Sequence, residues 1–328
     1  MNRYIVRADA ALAMDEANTV IRDAAIIING NQIEAIGSNS ELTPRGPFER
    51  ELGGSRFVVF PGLVTAHHHT AGILSRAFAP VPLERREPIN LYMGPWTDED
   101  FYWINLYINI QLLKAGTKTA LPFFYGFRDF HDLGCESTVR AFLDCGLRAA
   151  FGIAGRDRWD VVHARDKAEF LQGLPNELSE RVEQSPFGYL YDTDQALDSS
   201  LGSLEPGKRA DLVLMDRTHL YDDPFIDPTC DLHRLLVYRG RGADVHTVIV
   251  EGQVVVDAGK CVAVNEQEAE QRAFSSVRRI TSDTASVAKW LALAGDLEPY
   301  MIDYYSDWRL QDVVEPWGSY NAQHVRTL

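Results

Sequence analysis

Cysteine is sparse, and Cys135, Cys145, Cys230 and Cys261 form no C-x-x-C pair. That spacing excludes zinc-ribbon and dithiol motifs and leaves the reduced thiols of a cytoplasmic protein as the expectation. Long apolar runs are missing too; the longest are about ten residues, half of what a membrane-spanning helix needs. The stretch Met1–Asp9 holds no continuous apolar core of a secretory signal. Positive charge is short: 32 Lys and Arg stand against 47 Asp and Glu, a net charge of −15. Nucleic acid and anionic membranes are therefore excluded as partners. The small groups Arg278-Arg279 and Arg239-Gly240-Arg241 read as solvated faces. What 328 residues with 45% apolar content do allow is a sizeable core, divided over two or more domains.

The richest local signal is Pro61-Gly62-Leu63-Val64-Thr65-Ala66-His67-His68-His69-Thr70, an apolar strand that ends in histidines. Side chains alternate along a strand, so His67 and His69 are expected on one face and His68 on the other, where it packs. Two imidazoles at the end of a buried strand are the beginning of a metal site.

The run from Phe57 to His69 resembles the first barrel strand of the amidohydrolase superfamily, which carries two metal-binding histidines. Three later stretches agree in order. Ala115–Ala120 looks like the family's segment leading into the second strand. Gly202–Val213 is similar to the G-x-(L/I)-x-x-G-(K/R)-x-A-D-(L/I)-(V/I) run that follows the barrel. Val245–Gly252 resembles the later V-x-x-V-(I/V)-V-x-G strand. The nearest branch is the cytosolic aminohydrolase and chlorohydrolase group, including cytosine and guanine deaminases. The resemblance implies a metal-dependent hydrolase of non-peptide carbon–nitrogen bonds. Its divalent metal would be Zn²⁺, Fe²⁺ or Mn²⁺, held in part by His67 and His69. Its substrate would be an amine- or halogen-bearing heterocycle.

Length departs from that pattern. A (β/α)₈ barrel takes about 250 residues, and only about 140 separate Pro61 from Gly202, room for three or four βα units. In relatives the missing stretch holds histidines on the fifth and sixth strands, a catalytic Glu, and a metal-binding Asp on the eighth; none has a counterpart here. His131 and His163, after the second and third strands, and Asp192 and Asp194, near the apparent junction, lie where βα loops converge. They are the candidates to complete the site, as is a second subunit. The catalytic residues themselves are not identified by the sequence. Three readings stay open: a hydrolase with a reduced or shared site, an inactive remnant serving as a binding or assembly partner, and an internally deleted form of a longer enzyme.

The expected architecture is α/β: a partial, TIM-like (β/α) barrel over 57–197, a small β-sandwich lobe from 1–56 and 198–265, and a helical extension over 266–328. Hairpins are expected around Asn29–Gln32 and Glu251–Gln253. Thr97 is the expected N-cap of a helix that Gly116 stops. Phe78, Tyr92, Met93 and Trp96 could line an apolar pocket, and His219, His233 and His246 read as surface or packing residues. An open barrel remnant exposes sheet edges and an apolar face, so homo-oligomerisation is expected.

Overall fold

The computed structural model describes residues 3–69, 96–125, 134–149, 152–154, 174–184, 200–222 and 230–306. The chain divides into two compact units, Met1–Ile73 with Trp96–Arg279, and Leu74–Pro95 with Ile280–Leu328.

Eight strands of the first unit make one sheet. They are β1 Arg3–Leu12, β2 Val20–Asn29, β3 Gln32–Ser38, β4 Glu51–Pro61, β9 Leu212–Asp216, β10 Val245–Val250, β11 Gln253–Asp257 and β12 Lys260–Cys261. Their order is β12-β11-β10-β9-β4-β1-β2-β3. Every neighbour is antiparallel except β1 and β4, which run parallel. The period-2 pattern explains how the sheet buries both faces. Tyr4, Val6, Ala24, Ile26 and Ile28 enter one core, while Ile5, Ala25 and Ile27 enter another with Leu42. Strands apolar on both faces read as continuous runs, as Ala24–Ile28 does.

Strands from both chain ends form one hydrogen-bonded sheet. The β2–β3 turn meets the segment before β9: Ile33 N donates to Lys208 O at 2.9 Å, and Ala210 N to Asn31 O at 2.8 Å. The two hairpin turns also meet. Glu251 (φ 51°) and Gly252 (φ 71°) both have positive φ, the geometry of a two-residue hairpin turn matched to strand twist. A Cβ on Gly252 would overlap the Gly30 carbonyl oxygen. Tyr4 Oη donates to the Gly252 carbonyl at 2.9 Å. Burial pushes the Tyr4 phenol up to about 12, against the pull of the Arg50 guanidinium.

A second sheet is wholly parallel. It pairs β5 Leu63–His69 with β6 Thr117–Tyr125, and β6 with both β7 Arg148–Ala149 and β8 Gly152–Ala154. Its crossover helices are α2 Asp98–Lys114 and α3 Cys135–Cys145; α1 is the short turn Asn39–Leu42. Thr97 and Asp100 form the expected capping box, and Gly116 (φ 88°) follows the helix end. Asn105 Nδ2 joins α2 to α3 through Thr138 Oγ1 at 2.8 Å. Trp96 is buried against Phe101, with ring centroids 4.7 Å apart, so it packs against this helix. Phe78, Tyr92 and Met93 lie outside the described residues. Helix α4, Asn176–Gln184, is tied to α3 by the Arg181–Asp144 ion pair. Helix α5, Leu232–Arg239, precedes β10, while α6 Glu266–Ser282 and α7 Thr284–Ser306 follow β12. Asp100 also receives Arg279, and Lys114 pairs with Glu266 at 2.8 Å, so α6 is fixed to α2. No described helix is long and apolar enough to cross a membrane.

The two sheets are joined by buried charge. Lys118 Nζ lies 2.8 Å from Asp211 Oδ2, and Arg148 grips the same carboxylate with Nη1 at 2.5 Å and Nη2 at 3.1 Å. Arg148 Nη2 reaches Glu251 Oε1 at 2.6 Å, and Arg209 pairs with Glu251 as well. The Glu251 N–H donates to Asp211 Oδ1 at 2.8 Å, which anchors the strained turn. Burial opposes ionisation of Asp211, but the charges of Arg148 and Lys118 outweigh it and hold the carboxyl far below its ordinary value. Gly62 N donates to the Asp211 carbonyl at 3.1 Å, and a Cβ on Gly62 would overlap the buried Lys118 stem.

Two outcomes follow from this junction. Asp211→Asn leaves buried cations undercompensated and should cost about 3–5 kcal/mol in chemical denaturation. Because the folded pKa of Asp211 is depressed, its stabilisation is present above the unfolded value near about 4 and is lost as pH falls below it. The gap between wild type and D211N should therefore shrink as pH drops from about 4; a constant gap would refute the assignment. Gly62→Ala should cost about 1–3 kcal/mol through overpacking, read as a lowered Tm.

Candidate functional site

In a parallel α/β sheet the loops that carry chemistry leave the C-terminal strand ends. Here those ends are in register: His68 pairs with Pro122, His69 with Phe123, Phe123 with Gly152, and Tyr125 with Ala154. His67, His68 and His69 are the last three residues of β5. The strand forms for two reasons. Gly62 allows the close approach to Lys118, and Leu63 N bonds the Gly116 carbonyl at 2.9 Å, setting β5 beside β6.

The alternation expected for the histidines assumes a regular strand. Between Thr65 and His68 the β5–β6 register shifts, with Thr65 opposite Ala120 and His68 opposite Pro122. One extra residue on β5 is a bulge, a device that re-aims side chains beside functional sites. His68 is half-buried. His131, His163, Asp192 and Asp194 lie outside the described residues. Among the described residues no three His, Cys, Asp or Glu gather to hold a metal. Two histidines on one strand do not complete a hydrolytic site, which takes three protein ligands and an open position.

The histidines read as packing residues find neighbours of that kind. His219 Nδ1 lies 2.5 Å from Asp244 Oδ1, and its carbonyl accepts from Arg239 Nη2 at 3.1 Å. The His246 ring packs tilted against Phe57 with centroids 4.8 Å apart. A shallow cleft lined by Ser55, Arg56, Arg217, Thr218 and Tyr221 has its arginines engaged: Arg56 with Asp216, and Arg217 Nε with the Ser55 carbonyl at 2.9 Å. Cys145, Cys230 and Cys261 are free thiols.

The Lys118–Arg148–Asp211–Glu251 cluster is the main feature that sequence reasoning passed over. Each member was visible only as part of a motif. The available signal was a charged residue inside an otherwise apolar strand start. Strong pKa perturbation marks many active sites. Position decides otherwise here: Lys118 and Arg148 stand at the N-terminal ends of β6 and β7, about 15 Å along the strand from the histidine level. Groups at that end serve stability.

No family profile matches the chain. Among curated proteins it is 28% identical over 153 residues to 5-methylthioadenosine/S-adenosylhomocysteine deaminase of Pelotomaculum thermopropionicum, covering 45% of this chain and 35% of the relative. The enzyme of the same name from Halothermothrix orenii is 29% identical over 151 residues, with the same two coverages. The chain thus spans about a third of the length of these relatives. Two solved structures share the fold. Zinc-bound atrazine chlorohydrolase TrzN of Arthrobacter aurescens, in a mutant complexed with atraton, superposes with TM-score 0.62 at 13% identity, over 84% of this chain and 100% of that one. Zinc-bound adenosine deaminase of Xanthomonas campestris gives 0.61 at 15% identity, over 85% and 98%.

Proposed function

From a chain whose sequence and fold are both of the amidohydrolase-superfamily type, we propose a metal-dependent hydrolase of non-peptide carbon–nitrogen bonds, of deaminase or chlorohydrolase kind. The observation that carries it is the three-histidine end of β5, bulged and in register with the C-terminal ends of β6 and β8. The deaminase relatives support an amine-bearing heterocycle as substrate, and the chlorohydrolase neighbour a halogen-bearing one. On this reading 57–197 is a partial TIM-like barrel, 1–56 with 198–265 the β lobe, and 266–328 the helical extension. The free thiols and the acidic charge support a cytoplasmic setting.

A bound Zn²⁺, or Fe²⁺ or Mn²⁺, would supply a low-pKa water. His67 and His69 are the two donors this chain brings, and the described residues add no third, so no catalytic step is assigned. Completion rests on His131, His163, Asp192 or Asp194, or on a second subunit. The short span, about a third of the curated relatives' length, favours a second reading, a non-catalytic remnant that binds or assembles with another protein. Sequencing the locus across the codons for Gln195 and Ala196 separates both from an internally deleted longer enzyme.

Metal content separates the two protein-level readings. Elemental mass spectrometry of the purified chain should give close to one ion per chain, lost in the His67→Ala/His69→Ala variant. Metal-free wild-type protein would overturn the hydrolase reading and leave the remnant.

A further inference from the structure

Strand β2 ends in Asn29-Gly30, the single Asn-Gly pair in the chain. Asn29 pairs with Gln32, so Gly30 and Asn31 form a two-residue hairpin turn, with Gly30 at φ 63°. A peptide nitrogen that follows an asparagine can attack that residue's own side-chain carbonyl carbon, and a glycine hinders the approach least. Both residues are half-buried, and open space lies where a Gly30 side chain would stand. Among the described residues the Gly30 N–H has no acceptor. Asn29 is the last paired residue of its strand, so the attack needs only the terminal pair to open.

We propose that Asn29 is a self-modification site, where spontaneous deamidation through Gly30 yields aspartate and isoaspartate and loosens the hold of this turn on Glu251. The Gly30 nitrogen bonds to Asn29 Cγ and gives up its proton. The Cγ–Nδ2 bond breaks, and Nδ2 leaves as ammonia with that proton. One water then opens the succinimide ring. Cleavage at Cγ gives aspartate; cleavage at the main-chain carbonyl gives isoaspartate, with an extra methylene in the backbone. No oxidant or reductant is needed.

The products matter because of what the turn touches. Asn29 Nδ2 donates to Glu34 Oε2 at 3.3 Å, and aspartate would set a carboxylate there in place of the donor. Isoaspartate lengthens a turn whose two residues fix the register. Asn31 Nδ2 donates to Glu251 Oε2 at 3.1 Å, Ala210 N donates to the Asn31 carbonyl, and the Gly30 carbonyl lies against Gly252. A lengthened turn displaces all three. This inference stands apart from the hydrolase reading, and the two fail separately.

The test is incubation of the full chain at mildly alkaline pH, sampled over time. Isoaspartyl methyltransferase with a labelled methyl donor counts isoaspartate, and fragmentation of the tryptic peptide Asp23–Arg45 places it. Isoaspartate should build up at position 29 well before Asn31 or Asn39 of the same peptide. Most of the methyl label should be lost in Asn29→Gln. Ageing should lower the wild-type Tm by about 2–4 °C and leave that of Asn29→Gln unchanged. An Asn29 that survives as long as Asn31 and Asn39 would overturn the proposal. So would labelling that persists in Asn29→Gln, or full conversion with an unmoved Tm.

Discussion

One buried carboxylate holds this protein together. Asp211 is almost fully buried and binds two cations from the other sheet, Lys118 and Arg148, while its own backbone carbonyl takes the Gly62 N–H. Burying these charges is expensive, and the cost is met only because each carboxylate oxygen of Asp211 has a partner and Glu251 takes the remaining side of Arg148. The same bonds anchor Glu251 at a positive φ that a non-glycine residue adopts with strain. Hairpin turn, sheet junction and start of the histidine strand are therefore a single cooperative unit. Its members couple energetically, so single substitutions there will not add.

That unit also sets the register on which any site depends. Gly62 lies against Lys118, Leu63 bonds to the Gly116 carbonyl, and β5 then runs beside β6 to place His68 and His69 opposite Pro122 and Phe123. The histidines are positioned from the far end of their strand. A shift of one residue at the junction would move every position of β5 relative to β6, because side-chain period in a strand is two.

Much of the architecture is legible in the sequence, where local chemistry decides it. The capping box at Thr97 and Asp100, the stop at Gly116 and the hairpin at Glu251-Gly252 each rest on a few adjacent residues. Helix α7 continues through Pro299, a residue that on local grounds argues for a break. The lobe shared by both chain ends is expected from the order of the motifs, but the pairing of β4 with β9, more than 150 positions apart, has no local signal. The charge cluster was illegible for the same reason: nothing local says that Lys118, Arg148 and Asp211 converge. The histidine pair was legible as residue types in a strand, but the bulge before His68 depends on the register with β6.

The division between the two strand ends explains how a short chain keeps this fold. Stability sits at the N-terminal ends of β6 and β7, where the cluster bonds to the large sheet, and in two apolar cores drawn mainly from β1, β2, β4, β9 and β10. Chemistry in such folds sits at the opposite ends, in loops that the core does not need. Among the described residues β5 pairs only with β6, and Leu63 and Val64 are 48% and 44% exposed. An apolar, half-open strand edge is a surface that aqueous proteins cover.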